Sequence, residues 1–205
     1  MATEIVFVLD RSGSMHGLEK DVIGGFNSFV VEQQKIKDNS RLTTVLFDDR
    51  YEVLHDGIDL QEVKPITAKE YFVRGSTALL DAVGKAITTV QSHTNRKDDS
   101  VIFLINTDGQ ENASKEYTNQ TLKDLVKECE TSKKWKFVFI GANIDSFAVG
   151  NRMGIGTTRN YTADSHGTQS VYTATAAMTS NYRYEVNNSK GADVQLDTTK
   201  LDDIK

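Results

Sequence analysis

Residues 4–15 read EIVFVLDRSGSM, and this stretch decides the fold. The apolar run after Glu4 is rich in β-branched and aromatic residues and shows no polar alternation, which is the pattern of a strand covered on both faces. It stops abruptly at D-R-S-G-S, a polar turn. Residues 100–106 (SVIFLIN) repeat the arrangement and end in Thr107, Asp108 and Gly109, and residues 135–140 (WKFVFI) supply a further strand.

Segments of helical period lie between these strands. Leu18, Val22, Phe26, Phe29, Val30 and Gln33 trace one apolar stripe over residues 18–36, mildly interrupted by Gly24 and Gly25. Leu79, Leu80, Val83, Ile87 and Val90 trace a second, and Leu122, Leu125, Val126 and Cys129 a third. Residues 41–47 and 51–55, separated by Asp48, Asp49 and Arg50, fit an antiparallel hairpin. Beyond residue 140 the pattern predicts a short helix over 146–153, a weak strand over 158–161 and a closing helix over 168–184 with Val171, Thr175, Met178 and Tyr182 on one face. This order specifies a doubly wound α/β fold: a mostly parallel sheet with one antiparallel edge strand and helices on both faces. Periodicity fades from Glu185, so residues 1–184 read as the domain and 185–205 as a polar tail or appendage.

Composition narrows the function classes. A chain of 205 residues, 38% hydrophobic, can bury one full core unaided. The net charge is −5 with both signs interspersed; the one basic cluster, Lys133, Lys134 and Lys136, reads as a helix C-terminus, so nucleic acid is not an expected partner. No apolar run has the length of a membrane span, and the start lacks the basic region of a signal peptide. A lone cysteine, Cys129, falls on an apolar helical position and reads as a buried thiol. Together these favour a cytoplasmic protein. The Asn-x-Ser/Thr triplets at Asn112, Asn119, Asn160 and Asn187 carry no weight without secretion.

The chemistry concentrates at one edge of the expected sheet. Asp10, Ser12 and Ser14 follow the first strand, Asp108 follows a second, and Thr77 lies in a G-S-T loop that opens a helix. In open α/β sheets, ligands bind outside the carboxyl ends of the strands, where these three loops converge. All the candidate donors are oxygens, a hard set suited to Mg²⁺, Mn²⁺ or Ca²⁺ rather than zinc or copper. Few protein ligands favour Mg²⁺, which keeps part of its shell for water or an outside oxygen.

Three motifs, FVLDRSGSM at 7–15, GSTALLDAV at 75–83 and LINTDGQEN at 104–112, resemble the three parts of the metal-ion-dependent adhesion site of von Willebrand factor A domains. The resemblance extends over about residues 3–184. It implies that Asp10, Ser12, Ser14, Thr77 and Asp108 are metal ligands, and none of the five departs from the family's pattern. It further implies a protein partner that offers an Asp or Glu carboxylate to the metal, in settings such as ATPase or signalling complexes.

Other residues have simpler expectations. Asp48 and Asp49 read as turn residues of the hairpin tip, Asp145 as a helix N-cap, His16 as an exposed loop residue, and Glu111 and Asn112 as either rim or capping residues. The expected class is a non-enzymatic binding module. A Mg²⁺-dependent phosphoryl hydrolase is the rival, but Ser12 stands where its second carboxylate would be needed, and there is no P-loop, G-x-S-x-G or H-E-x-x-H sequence. A third expectation is a structural or sensor domain in which the metal only orders the loops.

Overall fold

The computed structural model describes residues 2–93, 99–189 and 193–204. Its centre is a six-stranded sheet built from β1 (Thr3–Asp10), β2 (Arg41–Phe47), β3 (Tyr51–Asp59), β4 (Ser100–Thr107), β5 (Lys136–Ala142) and β6 (Thr157–Tyr161), in the order β3-β2-β1-β4-β5-β6. All neighbours pair in parallel except β2 and β3, the expected antiparallel edge. The helices are α1 (Glu19–Gln34), α2 (Leu79–His93), α3 (Asn119–Lys133), α4 (Ser146–Arg152) and α5 (Ser165–Asn188).

The continuous apolar runs are explained by the two faces they cover. Successive strand residues point to opposite sides, so Ile5, Phe7 and Leu9 of β1 join Phe26 and Phe29 of α1 and Met178 and Tyr182 of α5 in one core. Val6 and Val8 point the other way, into a core shared with Val83 and Ile87 of α2 and Leu122 and Val126 of α3. A strand buried on both sides cannot alternate with polar residues, which is why β1, β4 and β5 do not.

Helix ends follow local chemistry. Thr118 and Thr121 close a reciprocal cap at the start of α3, and the Asp145 and Asp164 side chains cap α4 and α5 by accepting the N–H groups of Ala148 and Gly167. The Gly24-Gly25 interruption in α1 has a packing cause at its second residue. A Cβ on Gly25 would lie 2.1 Å from the Tyr172 ring, so glycine lets α1 and α5 approach closely.

The closing helix is longer than its sequence pattern predicted, beginning at Ser165 and running through Val186, which is 2% exposed, to Asn188. Arg183 on this helix is fully buried and donates to the Gln33 carbonyl at 2.7 Å, Asp38 Oδ1 at 2.7 Å and Ser40 Oγ at 3.1 Å, tying α5 to the end of α1. Residues 193–204 then return to the core. Leu201 is fully buried, and Val194, Leu196 and Ile204 pack beside it on the α1/α5 side. Only these four apolar residues fall within 193–204, two at strand spacing and two at helical spacing, too few for either period to register in the sequence.

Candidate functional site

Because β1 and β4 run parallel and in register, with Leu9 opposite Asn106, their polar ends emerge side by side. Asp10 closes β1 and is 1% exposed; its Oδ1 accepts the Ser12 N–H at 2.7 Å, and its Oδ2 accepts the Thr107 hydroxyl. The chain then makes a single helical turn, Gly13–Met15, whose Gly13 N–H donates to the Gly75 carbonyl at 3.1 Å. Ser12 Oγ and Ser14 Oγ lie 3.1 Å apart, and Ser14 Oγ donates to Asp108 Oδ1 at 2.6 Å.

Thr77 completes the group. A Cβ on Gly109 would fall 2.6 Å from Thr77 Oγ1 and 3.2 Å from Asp10 Oδ2, so both oxygens border one spot and only glycine leaves it open. The structure thus gathers all five residues singled out in the sequence, Asp10, Ser12, Ser14, Thr77 and Asp108, from three loops. Asp10, Ser12 and Thr77 are buried, whereas Ser14 is exposed and Asp108 half-buried, so the cluster opens to solvent on one side.

The electrostatics of this spot are unbalanced. Burial pushes the Asp10 carboxyl up to about 6 against the hydrogen bonds from Thr107 and Ser12, and the Asp108 charge adds to the rise. Asp108 is raised too, by burial, with the Ser14 hydrogen bond opposing it. Among the described residues no lysine, arginine or histidine forms an ion pair with either carboxylate. Two carboxylates and three hydroxyls, with no nitrogen or sulfur donor, are the chemistry of a hard cation's surroundings. The residues fit such an ion on this count, and because among the described residues no cationic side chain pairs with either carboxylate.

Supporting residues hold the three loops to one another. Tyr71 donates to the Asp10 carbonyl at 2.6 Å. Asn112 clasps Thr77 on both sides, its Oδ1 accepting the Thr77 N–H at 2.9 Å and its N–H donating to the Thr77 carbonyl at 3.0 Å. Glu111 accepts the Leu80 N–H at 3.0 Å, so it caps α2, not the helix that follows it. Below the loops, Asn106 accepts from Tyr161 at 3.1 Å and donates to Tyr172 at 3.4 Å, joining β4, β6 and α5.

Asp48 is the residue the sequence reading understated. It does serve the turn, accepting the Arg50 N–H at 2.6 Å, but it is fully buried, and its Oδ2 receives both Arg11 Nε at 3.2 Å and Arg74 Nε at 2.5 Å. No local pattern announces pairs that span 37 and 26 residues. His16, by contrast, is exposed as expected and faces Glu19 at 3.2 Å.

Comparison with known proteins bears on the fold and the family. The sequence model of the von Willebrand factor type A domain matches residues 4–190. A von Willebrand factor type A protein from Catenulispora acidiphila superposes with a TM-score of 0.59 at 14% identity, over 86% of this chain and 42% of that one. The ArnB paralog VWA2 from Sulfolobus acidocaldarius gives 0.60 at 16% identity, over 86% and 44%. The manganese-loaded TRAP protein of Plasmodium vivax gives 0.54 at 19%, over 68% and 56%. This chain spans less than half the length of the first two of these structures. A search of curated protein sequences found no match.

Proposed function

Since the chain belongs to the von Willebrand factor type A domain family, we propose that Asp10, Ser12, Ser14, Thr77 and Asp108 hold one divalent cation, Mg²⁺ in the first place and Mn²⁺ or Ca²⁺ as alternatives, and that the domain is a non-catalytic protein-binding module. The observation that carries this reading is the pair of carboxylates, Asp10 and Asp108, brought together at a three-loop junction where, among the described residues, neither forms an ion pair. A bound cation would supply an open coordination position for a carboxylate oxygen from an Asp or Glu of the partner.

The chain's own residues do the rest. Asp10, buried and fixed by Ser12 and Thr107, provides charge that cannot turn away to solvent. Asp108 and Ser14 form the solvent-side wall, and their mutual hydrogen bond keeps both oxygens aimed into the junction. Thr77 is held by Asn112 and cannot drift with its loop. A binding role in place of hydrolysis is supported by Ser12, whose hydroxyl stands where a phosphoryl hydrolase would need a second carboxylate as acid or base. That members of this family commonly bind proteins, and that a relative has been obtained manganese-loaded, both support the reading.

The test is isothermal titration of the metal-stripped protein with MgCl₂ and MnCl₂. Saturable uptake of one ion per chain is expected, lost in Asp108→Ala. A wild-type protein that takes up neither ion would refute the metal reading. For the binding role, a partner retained in Mg²⁺ and released by EDTA is expected, and phosphatase turnover that disappears with Asp10→Asn would move the assignment to the enzyme.

A further inference from the structure

Two guanidiniums stand beside the cluster and neither serves it. Arg11 lies between Asp10 and Ser12 in the chain, and Arg74 immediately precedes the Gly75-Ser76-Thr77 loop. Each is covalently tethered within a residue or three of the site, so each is at a far higher effective concentration there than any ion in solution. Two neighbouring carboxylates, one buried and one half-buried, with no ion-pair partner among the described residues would attract either one.

Both are instead committed elsewhere. Asp48 Oδ2 accepts Arg11 Nε and Arg74 Nε, and Glu52 Oε2 accepts Arg11 Nη2 at 2.7 Å and lies 3.8 Å from Arg74 Nη2. Two positive and two negative charges cancel within this cluster, while Asp10 and Asp108 stay uncompensated. Asp48 is held at both levels: its main-chain N–H donates to the Arg50 carbonyl at 3.1 Å and its carbonyl accepts the Ala78 N–H at 2.9 Å, while its Oδ1 accepts the Arg50 N–H at 2.6 Å and so fixes the carboxylate. The Phe72 ring, 42% exposed, covers both guanidiniums, with centroid distances of 5.4 Å to Arg11 Cζ and 5.2 Å to Arg74 Cζ. The confinement of Arg11 is not complete, however: its buried Nη1 has no hydrogen-bond partner.

We infer that Asp48, assisted by Glu52, is a positioning residue that sequesters Arg11 and Arg74 from the Asp10/Asp108 junction and so keeps it available to a divalent cation. This rests on the metal reading above. An ordinary structural ion pair would contribute to stability alone, whereas sequestration predicts an effect on cation affinity in the folded state, and one that is relieved by deleting the released charge.

The experiment is Mg²⁺ and Mn²⁺ titration of wild type, Asp48→Asn, Asp48→Asn/Arg74→Met and Glu52→Gln, at a temperature where circular dichroism shows each folded. Arg41→Met, which removes the ion-pair partner of the buried Glu4 at the opposite end of β1, controls for general destabilisation. Asp48→Asn is expected to weaken Mg²⁺ binding by roughly tenfold or more, in the range of outer-shell substitutions at metal sites. The double variant should recover most of that loss, Arg41→Met should bind as wild type, and Glu52→Gln, half-exposed and tolerant, should show a smaller loss. Wild-type affinity in Asp48→Asn overturns the inference, as does equal weakness in the double variant or in Arg41→Met. If Asp48→Asn does not fold, an unchanged Glu52→Gln overturns it. A wild-type chain that binds neither ion removes the metal reading and this inference with it, whereas a binding wild type with indifferent variants removes the inference alone.

Discussion

Strand β1 carries a buried carboxylate at each end, and the two are treated in opposite ways. Glu4, 2% exposed, receives Arg41 Nε at 2.9 Å and the Thr43 hydroxyl at 2.6 Å, and Arg41 reaches on to Asp99 at 2.9 Å. Asp10, 1% exposed, receives only neutral donors and faces Asp108. Removing a carboxylate from water costs several kcal/mol unless a charge or enough hydrogen bonds replace the solvent. The fold meets that cost at the amino end with a guanidinium and at the carboxyl end with neutral hydrogen bonds alone. An internally satisfied acid is structural. One without a counter-charge, in a cluster that opens to solvent at Ser14 and Asp108, is where a ligand of opposite charge gains most.

The largest expected effect is at the satisfied end. Arg41→Met should cost about 3–5 kcal/mol of unfolding free energy, as expected when the Glu4 and Asp99 carboxylates, both nearly buried, lose their shared partner, measured by urea denaturation. A loss below about 1 kcal/mol would mean that Glu4 and Asp99 are solvated after all and would dissolve the contrast.

Next, Mg²⁺ should stabilise the wild-type protein by about 2.7 kcal/mol at a hundred times its dissociation constant. Arg41→Met should gain the same increment and Asp10→Asn none. An equal gain in all three would locate the ion away from Asp10.

Smaller is the effect of Asp10→Asn in EDTA. Neutralising a carboxylate that has no cation should leave the urea midpoint unchanged within about 1 kcal/mol or raise it. A steep loss would show that the Asp10 charge is held by something other than a metal.

The smallest effect is a pH dependence that tests the paired class of acid independently. Burial alone would raise the Asp38 carboxyl, but hydrogen bonds and charge from Arg183, with Ser40 and Asn187, outweigh it and hold the group below its ordinary 3.8. A depressed folded value means that the stabilisation is complete above 3.8 and is lost as pH falls from there through the folded value. Urea midpoints below pH 4 should therefore fall more gently in Asp38→Asn than in wild type, and parallel profiles would contradict the assignment.

The sequence by itself determined the strands and helices of the α/β sheet and the loops that carry oxygen donors. Uninterrupted apolar runs in 5–9, 101–105 and 137–140 have one physical use, burial on both faces, and helical stripes between them force parallel crossovers. With the strands parallel, the polar residues that end them must share an edge, so Asp10, Ser12, Ser14, Thr77 and Asp108 could be grouped before any coordinates. Local period could not extend to the charge balance. Whether Asp10 meets a cation, and whether Arg11 turns toward it or toward Asp48 37 residues away, depends on which hairpin packs beside β1 and in what register. The end of α5 and residues 193–204 escaped for the same reason. Val186 and Leu201 are buried, and Leu196 partly buried, by distant partners in the core that holds α1 and α5, and a residue's neighbours in sequence carry no record of those contacts.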